Sequence, residues 1–192
     1  YQPNFAEANN NLGNALLTIG RFDDAVKSYE KACAINPDYA EAHSNIGIAF
    51  QKLGQLDAAV KRFEEALTIK PDYDKAHSNL GNVLKELGQL DAAVKSFEKA
   101  LTINPNYAEA HSNLGNVLKE LVQMDDAVKS YKKALAINPN YAEAHNNLGA
   151  IFKELGQLDD AVKSYKKALA INPDYVVAQN NLDIALKELS SW

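Results

Sequence analysis

Six prolines stand at positions 3, 37, 71, 105, 139 and 173, and every interval between them is 34 residues. A strict period of that length leaves few folds open. A core assembled from distant segments has no reason to repeat its punctuation, whereas small units stacked in a row must. Lined up on the period, the chain gives the tail of a preceding unit at 1–5, then five complete units at 6–39, 40–73, 74–107, 108–141 and 142–175. A partial unit, 176–192, closes it. The copies are close: AHSNLGNVLKEL fills 76–87 and again 110–121.

Each unit reads as two helices. In the third, His77, Leu80, Gly81, Leu84 and Leu87 follow a three-or-four spacing, and Leu90, Ala93, Val94, Phe97, Ala100 and Leu101 form a second stripe. Asp38 and Glu41 predict a capping box at the start of the second unit. Asp57, Asp91, Asp125 and Asp159 are predicted as N-caps of second helices. Gly20, Gly54, Gly88 and Gly156 should end first helices in the left-handed conformation. Val122 takes that place in the fourth unit and predicts either an altered turn or strain of about 1–3 kcal/mol. The residue before each proline resists the helical conformation and closes the unit. Inside the first helices, Gly47, Gly81, Gly115 and Gly149 each cost about 1 kcal/mol of helix propensity. That cost predicts a close approach of the partner helix, where Ala59, Phe63 and Ala66 offer a small, large, small surface.

The pattern His77-x2-Leu80-Gly81-x2-Leu84, followed by Ala93, Phe97, Ala100 and Pro105, resembles the tetratricopeptide repeat over nearly the whole chain. His or Asn stands at the family's usual Trp position, and Leu or Phe at its usual Tyr. The resemblance implies an all-α fold: a right-handed superhelix, or α-solenoid, of antiparallel helix pairs with a concave groove lined by first helices. It also implies an interaction scaffold.

The sixth position of each unit is asparagine: Asn11, Asn45, Asn79, Asn113 and Asn147, with Asn181 in the partial unit. Asparagine is a mediocre helix former, and these residues lie off the apolar stripe. A row of primary amides can donate and accept hydrogen bonds along an extended backbone. The same amides could instead bond to a neighbouring repeat. The ninth position adds Asn14, Asn82 and Asn116, interrupted by Ile48 and Ala150. The NLGNVLKEL wording is similar to the tetratricopeptide arm of O-linked N-acetylglucosamine transferases, where an asparagine ladder at this position contacts bound peptide. That resemblance implies the same role for Asn45, Asn79, Asn113 and Asn147, and by extension for the end positions Asn11 and Asn181. It also opens a rival reading, the substrate-selecting arm of a larger enzyme such as a glycosyltransferase. Family members that clamp C-terminal carboxylates carry lysine at the fifth position. Here that position reads Asn10, Ser44, Ser78, Ser112 and Asn146, which argues against such a clamp.

Other chemistries find little to stand on. His43, His77, His111 and His145 recur once per unit, about a helix diameter of 10 Å apart. Metal ligation needs nitrogens about 2 Å from one ion, so they read as core or half-buried residues. Lys85-Glu86, Lys119-Glu120, Lys153-Glu154 and Lys187-Glu188 read as a solvated face. No phosphate loop or nucleophile elbow rises above the repeat, so the expectation is no enzyme and no cofactor. A net charge of −5 disfavours nucleic acid, and no apolar run is long enough for a membrane helix. The single cysteine, Cys33, replaces leucine of the other units; it permits no intramolecular disulfide and suggests a reducing, cytoplasmic setting.

The ends differ. The opening YQPNF matches the closing INPDY of a unit, and Leu17 replaces Gln or Lys. Upstream repeats or a second copy are therefore expected to cover that edge, which makes self-association a candidate. At the other end Asp183 replaces the packing glycine, and Gln179, Asn180 and Lys187 make the last helix polar, as a capping helix should be. Trp192 is expected to fold back on it or to belong to a junction.

Overall fold

Helix follows helix because apolar residues recur every three or four positions between breaks too short for anything but a reversal. The computed structural model describes residues 3–191, with side chains from residue 5 onward. Its helices are α1 (Pro3–Thr18), α2 (Phe22–Ile35), α3 (Ala40–Lys52), α4 (Leu56–Ile69), α5 (Asp74–Glu86) and α6 (Leu90–Ile103), followed by α7 (Ala108–Glu120), α8 (Met124–Ile137), α9 (Ala142–Glu154), α10 (Leu158–Ile171) and α11 (Val176–Leu189). No strand occurs among the described residues. The helices fall into two compact units, Tyr1–Pro105 with α1–α6 and Asn106–Trp192 with α7–α11. Within each unit every helix packs on the next, and alternate helices also touch through α1–α3, α3–α5, α7–α9 and α9–α11. This is the all-α solenoid of helix pairs.

The core is a ladder of rings seated on glycines. Phe97, Ala93 and Ala100 of α6 are wholly buried. A Cβ added at Gly81 of α5 would lie 2.9 Å from Cε2 and Cζ of Phe97. Glycine is therefore what lets α5 and α6 close on each other, and the propensity it costs is returned as ring burial. Gly47 receives Phe63 in the same way.

The turns follow a single pattern with one exception in sequence and none in shape. Gly88 has φ +72°, its N–H donates to the Lys85 carbonyl at 2.9 Å, and the Gln89 N–H donates to Leu84 at 2.8 Å. Val122 has φ +60° with the matching bonds, to Lys119 at 2.9 Å and from Gln123 to Leu118 at 2.8 Å. The altered-turn expectation fails. The turn is ordinary, and the strain falls on a β-branched residue held in the left-handed region. Second helices end as expected: Lys70 and Asn104, each before proline, are extended at φ −130° and −128°.

The caps need correction. α3 starts at Ala40 after Tyr39, with no side-chain cap, so Asp38 and Glu41 form no capping box. Asp38 lies one residue too early, and its own N–H is taken by Asn36 Oδ1 at 3.3 Å, an Asx turn. Asp57, Asp91, Asp125 and Asp159 are not N-caps either. Gln55, Gln89, Gln123 and Gln157 hold that place without a side-chain bond. The aspartates sit in the first turn, where they act on the positive end of the helix dipole.

At the beginning of the described chain, Pro3 stands at the first position of α1, where a missing N–H costs nothing. Leu17 does not lie on the open edge; it packs against the cluster of Ala25, Val26, Tyr29, Ile46 and Ala49. The large apolar residues left exposed there are Phe5 and Leu12 on α1 and Ile19 in the turn that follows it. On α11, Gln179 Nε2 donates to Asp183 Oδ1 at 2.8 Å on an exposed surface, while Val176, Val177 and Ile184 are also exposed. Its outer face is mixed rather than uniformly polar. Trp192 lies outside the described residues.

Candidate peptide-binding face

The sixth-position asparagines occupy a stripe of the first helices apart from the ring ladder. Asn45, Asn79, Asn113 and Asn147 are half-buried, and Asn11 is exposed. Neighbouring repeats hold two of them. In the compact unit of α1–α6, Asn45 Nδ2 donates to Asn10 Oδ1 at 3.0 Å and to Asn14 Oδ1 at 3.2 Å. The Tyr29 hydroxyl donates to the same Asn14 oxygen at 2.8 Å. In the compact unit of α7–α11, Asn147 Nδ2 donates to Asn116 Oδ1 at 3.1 Å, and that oxygen also accepts the Tyr131 hydroxyl. Asn181 Nδ2 donates to Asn146 Oδ1 at 3.0 Å.

These bonds assign separate work to each position. The ninth-position residues Asn14 and Asn116 are hubs, each accepting one amide and one phenol. The sixth-position amide is oriented by them. Asn45 uses its N–H donors within the fold and keeps its carbonyl oxygen as an acceptor on a half-exposed surface. Where Ile48 replaces the hub, Asn79 makes no side-chain hydrogen bond among the described residues and keeps both donors and acceptor. Burial pushes the Tyr29 phenol up to about 12, with Glu41 adding to it. Burial raises Tyr131 further, helped by Glu143. Both hydroxyls therefore stay protonated donors at neutral pH.

Sequence reasoning left inter-repeat bonding open as an alternative and did not see the phenol. Asn14 comes with Tyr29, Asn116 with Tyr131 and Ile48 with Phe63, but Asn82 comes with Phe97 and Ala150 with Tyr165, so residue types alone do not announce the pairing. Fifth-position residues face inward, with Asn10, Ser44, Ser78 and Ser112 almost wholly buried. They set the approach of adjacent first helices.

The histidines act as ties. His43, His77 and His145 place Nε2 at 3.0, 2.9 and 3.0 Å from the carbonyls of Pro37, Pro71 and Pro139. Each pins the start of a first helix to the preceding turn. No group of three or more potential metal ligands occurs among the described residues. The Lys-Glu stripe is paired along the stack instead of merely solvated. Lys119 Nζ lies 2.8 Å from Glu154 Oε1, Lys153 Nζ 3.6 Å from Glu188 Oε1, and Gln51 donates to Glu86. Cys33 is half-buried and packs against the cluster of Ala25, Val26, Tyr29, Ile46 and Ala49, and burial pushes its thiol up to about 11 against the opposing pull of Arg62. No described helix is long and apolar enough to cross a membrane.

The comparisons with known proteins agree with this architecture. The profile described as "TPR repeat" matches residues 13–54, 50–88, 81–122 and 123–156, and "Tetratricopeptide repeat" matches 142–175. The crystal structure of MamA is similar at 26% identity and TM-score 0.77, covering 85% of this chain and 96% of that one. TTC0263, a thermophilic TPR protein of Thermus thermophilus, is similar at 27% identity and TM-score 0.73, covering 94% and 98%. YrrB, described as a TPR protein with an unusual peptide-binding site, is similar at 25% identity and TM-score 0.73, covering 90% and 89%. No curated protein sequence matches the chain significantly. Profiles spanning most of the 34-residue units, glycine-seated rings and whole-chain structural relatives converge: the chain belongs to the tetratricopeptide repeat family.

Proposed function

We propose that this chain is a protein-interaction scaffold that captures an extended peptide segment along the groove lined by its first helices. The observation that carries the reading is the half-exposed asparagine at the sixth position of every complete repeat except the first, where it is exposed. At Asn45 the neighbouring repeat fixes the amide and leaves its oxygen to accept a backbone N–H. A donor or acceptor already oriented loses little rotamer entropy when a ligand arrives. Peptide backbone offers partners at every residue, so such a row would bind with little demand on sequence. The peptide-binding site in the description of YrrB lends the reading support by analogy.

The test is a peptide array read with the native protein, an Asn45→Ala/Asn79→Ala variant and an Asn113→Ala/Asn147→Ala variant, all checked for unchanged helicity. Binding should fall about five- to thirtyfold in each variant, the loss of one or two hydrogen bonds of roughly 1 kcal/mol apiece. Equal binding by native and variants would return the asparagines to structural duty. A second reading, self-association, is favoured by the exposure of Phe5 (61%) and Leu12 (53%) on α1 and of Ile19 (67%) in the turn after it. It predicts a mass that rises with concentration in native protein and not in Leu12→Glu.

A further inference from the structure

A second recognition surface lies on the other side of the helix pairs, in the clefts between successive second helices. Three equivalent clefts lie within the two units. The first, between α2 and α4, is spanned by Arg62, whose Nη1 lies 2.9 Å from Glu65 Oε2 on its own helix and whose Nη2 lies 3.5 Å from Glu30 Oε1 across the gap. Glu65 Oε2 also lies 3.3 Å from His43 Nδ1, an ion pair only when that imidazole is protonated. The second, between α4 and α6, has Ser96 in place of the arginine and is open at about 580 Å³, with Glu64 and Lys99 at the positions of Glu30 and Glu65. The third, between α8 and α10, has Ser164 in place of the arginine and is open at about 840 Å³. There Lys132 and Lys167 replace both glutamates.

The three clefts form a series in which the plug disappears and the rim changes sign. The first carries its own cation between two carboxylates. The third puts a lysine in place of each carboxylate and the neutral Ser164 in place of the cation between them. Its floor is apolar, with Leu135, Leu148 and Phe152, and His145 stands among them with Nε2 bound to Pro139. Lys163 is paired to Asp160 at 3.3 Å. Lys132 and Lys167 have no carboxylate partner among the described residues; Lys132 instead places Nζ 6.0 Å from the Phe152 ring centroid. On α9, the cleft takes His145, Leu148 and Phe152, a stripe separate from Asn147.

We propose that the α8–α10 cleft is a docking site for an acidic protein segment, seating an apolar side chain on Leu148 and Phe152 with flanking carboxylates between Lys132 and Lys167. The ligand's carboxylate supplies by an outside chain the charge-matched plug that Arg62 supplies internally to the first cleft. Charge complementarity sets the partner's sign: the rim of two unpaired lysines selects against a basic segment. The site stands whether or not the asparagine row binds peptide.

The test uses two fluorescein-labelled peptides, acetyl-Glu-Glu-Leu-Phe-Glu-Glu-amide and its counterpart with lysine for every glutamate, in anisotropy titrations with the full chain. The glutamate peptide should bind, and more tightly at low salt. Of the four histidine ring signals, His145 should move most. Ser164→Arg copies Arg62 into the third cleft, a substitution the repeat already accommodates, and should weaken binding about tenfold or more. Lys132→Glu/Lys167→Glu, two exposed positions where folding is not at stake, should abolish it and admit the lysine peptide. No binding by the native chain, equal binding of both peptides, undiminished binding by either variant, or a shift centred on another histidine would each overturn the proposal.

Discussion

The two faces of the helix pairs treat repetition differently. On the first helices the sixth position is asparagine in every unit, while on the second helices the cleft positions run Glu30, Glu64 and Lys132 on one wall and Arg62, Ser96 and Ser164 on the other. A face that presents the same group at each repeat can read a periodic feature such as peptide backbone. A face that changes sign between clefts can tell one location from another. Both rest on the same ring ladder, so a change in one face should leave the other standing. The contrast is therefore open to separate attack on each side.

The harshest way to break it is alkaline pH. The uniform face depends on the Tyr29 and Tyr131 phenols donating to Asn14 and Asn116. Burial holds Tyr29 up at about 12, Tyr165 likewise, and Tyr131 higher still. Unfolded tyrosine loses its proton near its ordinary value of about 10. Since the folded values are raised, the stability contribution is complete below pH ~10 and is lost as pH rises toward the folded values. Circular dichroism should show unfolding between pH 10 and 12. Absorbance at the phenolate band should rise with the unfolding transition; full ionisation of all nine tyrosines in a still-helical chain would contradict the assignment.

Next in size is the hub itself. Asn14→Ala leaves the buried Tyr29 hydroxyl and one Asn45 donor bond without an acceptor, a cost of about 1–3 kcal/mol. Asn82→Ala removes an asparagine whose ring partner is Phe97, which has no hydroxyl, and should cost less. A double-mutant cycle of Asn14→Ala with Tyr29→Phe should give coupling of about 1 kcal/mol. If Asn14 and Asn82 cost the same, the hub has no special standing.

Much of the fold was legible before any coordinates. The 34-residue period, the glycine turns and the pairing of Gly47 with Phe63 followed from spacing and size alone, because those are requirements of backbone geometry and volume. The caps were misread because a one-residue shift of a helix start turns an N-cap such as Asp57 into a first-turn residue, and residue type cannot resolve that shift. The asparagine row was visible as a pattern, but the Asn45 donors were spoken for across repeats, a relation between residues 31 and 35 apart. The clefts were invisible, since they set Arg62 against Glu30 and Lys132 against Lys167, relations across a repeat that no single residue type announces.

A milder change sharpens the other face. Arg62→Ser should open the first cleft and leave Glu30 and Glu65 facing each other without their cation. The pairs are partly exposed and solvent-screened, so the stability loss should be about 1 kcal/mol or less. The informative result is binding: an opened first cleft should prefer the lysine peptide, opposite to the third. Indifference to peptide sign would mean that rim charge does not govern the clefts.

Val122→Gly is the smallest and most diagnostic, because the turn it sits in joins the helix of Asn113 to the helix of Lys132. Val122 is 75% exposed and contributes little packing. A left-handed conformation costs an L residue roughly 1–2 kcal/mol, and glycine's extra freedom in the unfolded chain returns roughly 0.5–1 kcal/mol of that. The net expectation is stabilisation of about 0.5–1 kcal/mol, measured by chemical denaturation with an unchanged denaturant slope. The turn already has the geometry of Gly88, so neither face should move, and binding of both extended and acidic peptides should match the native chain. Unchanged stability would mean that the strain at Val122 is relieved by something the turn geometry does not reveal. Altered binding would mean that the two faces communicate through the turn, and their independence would fall with it.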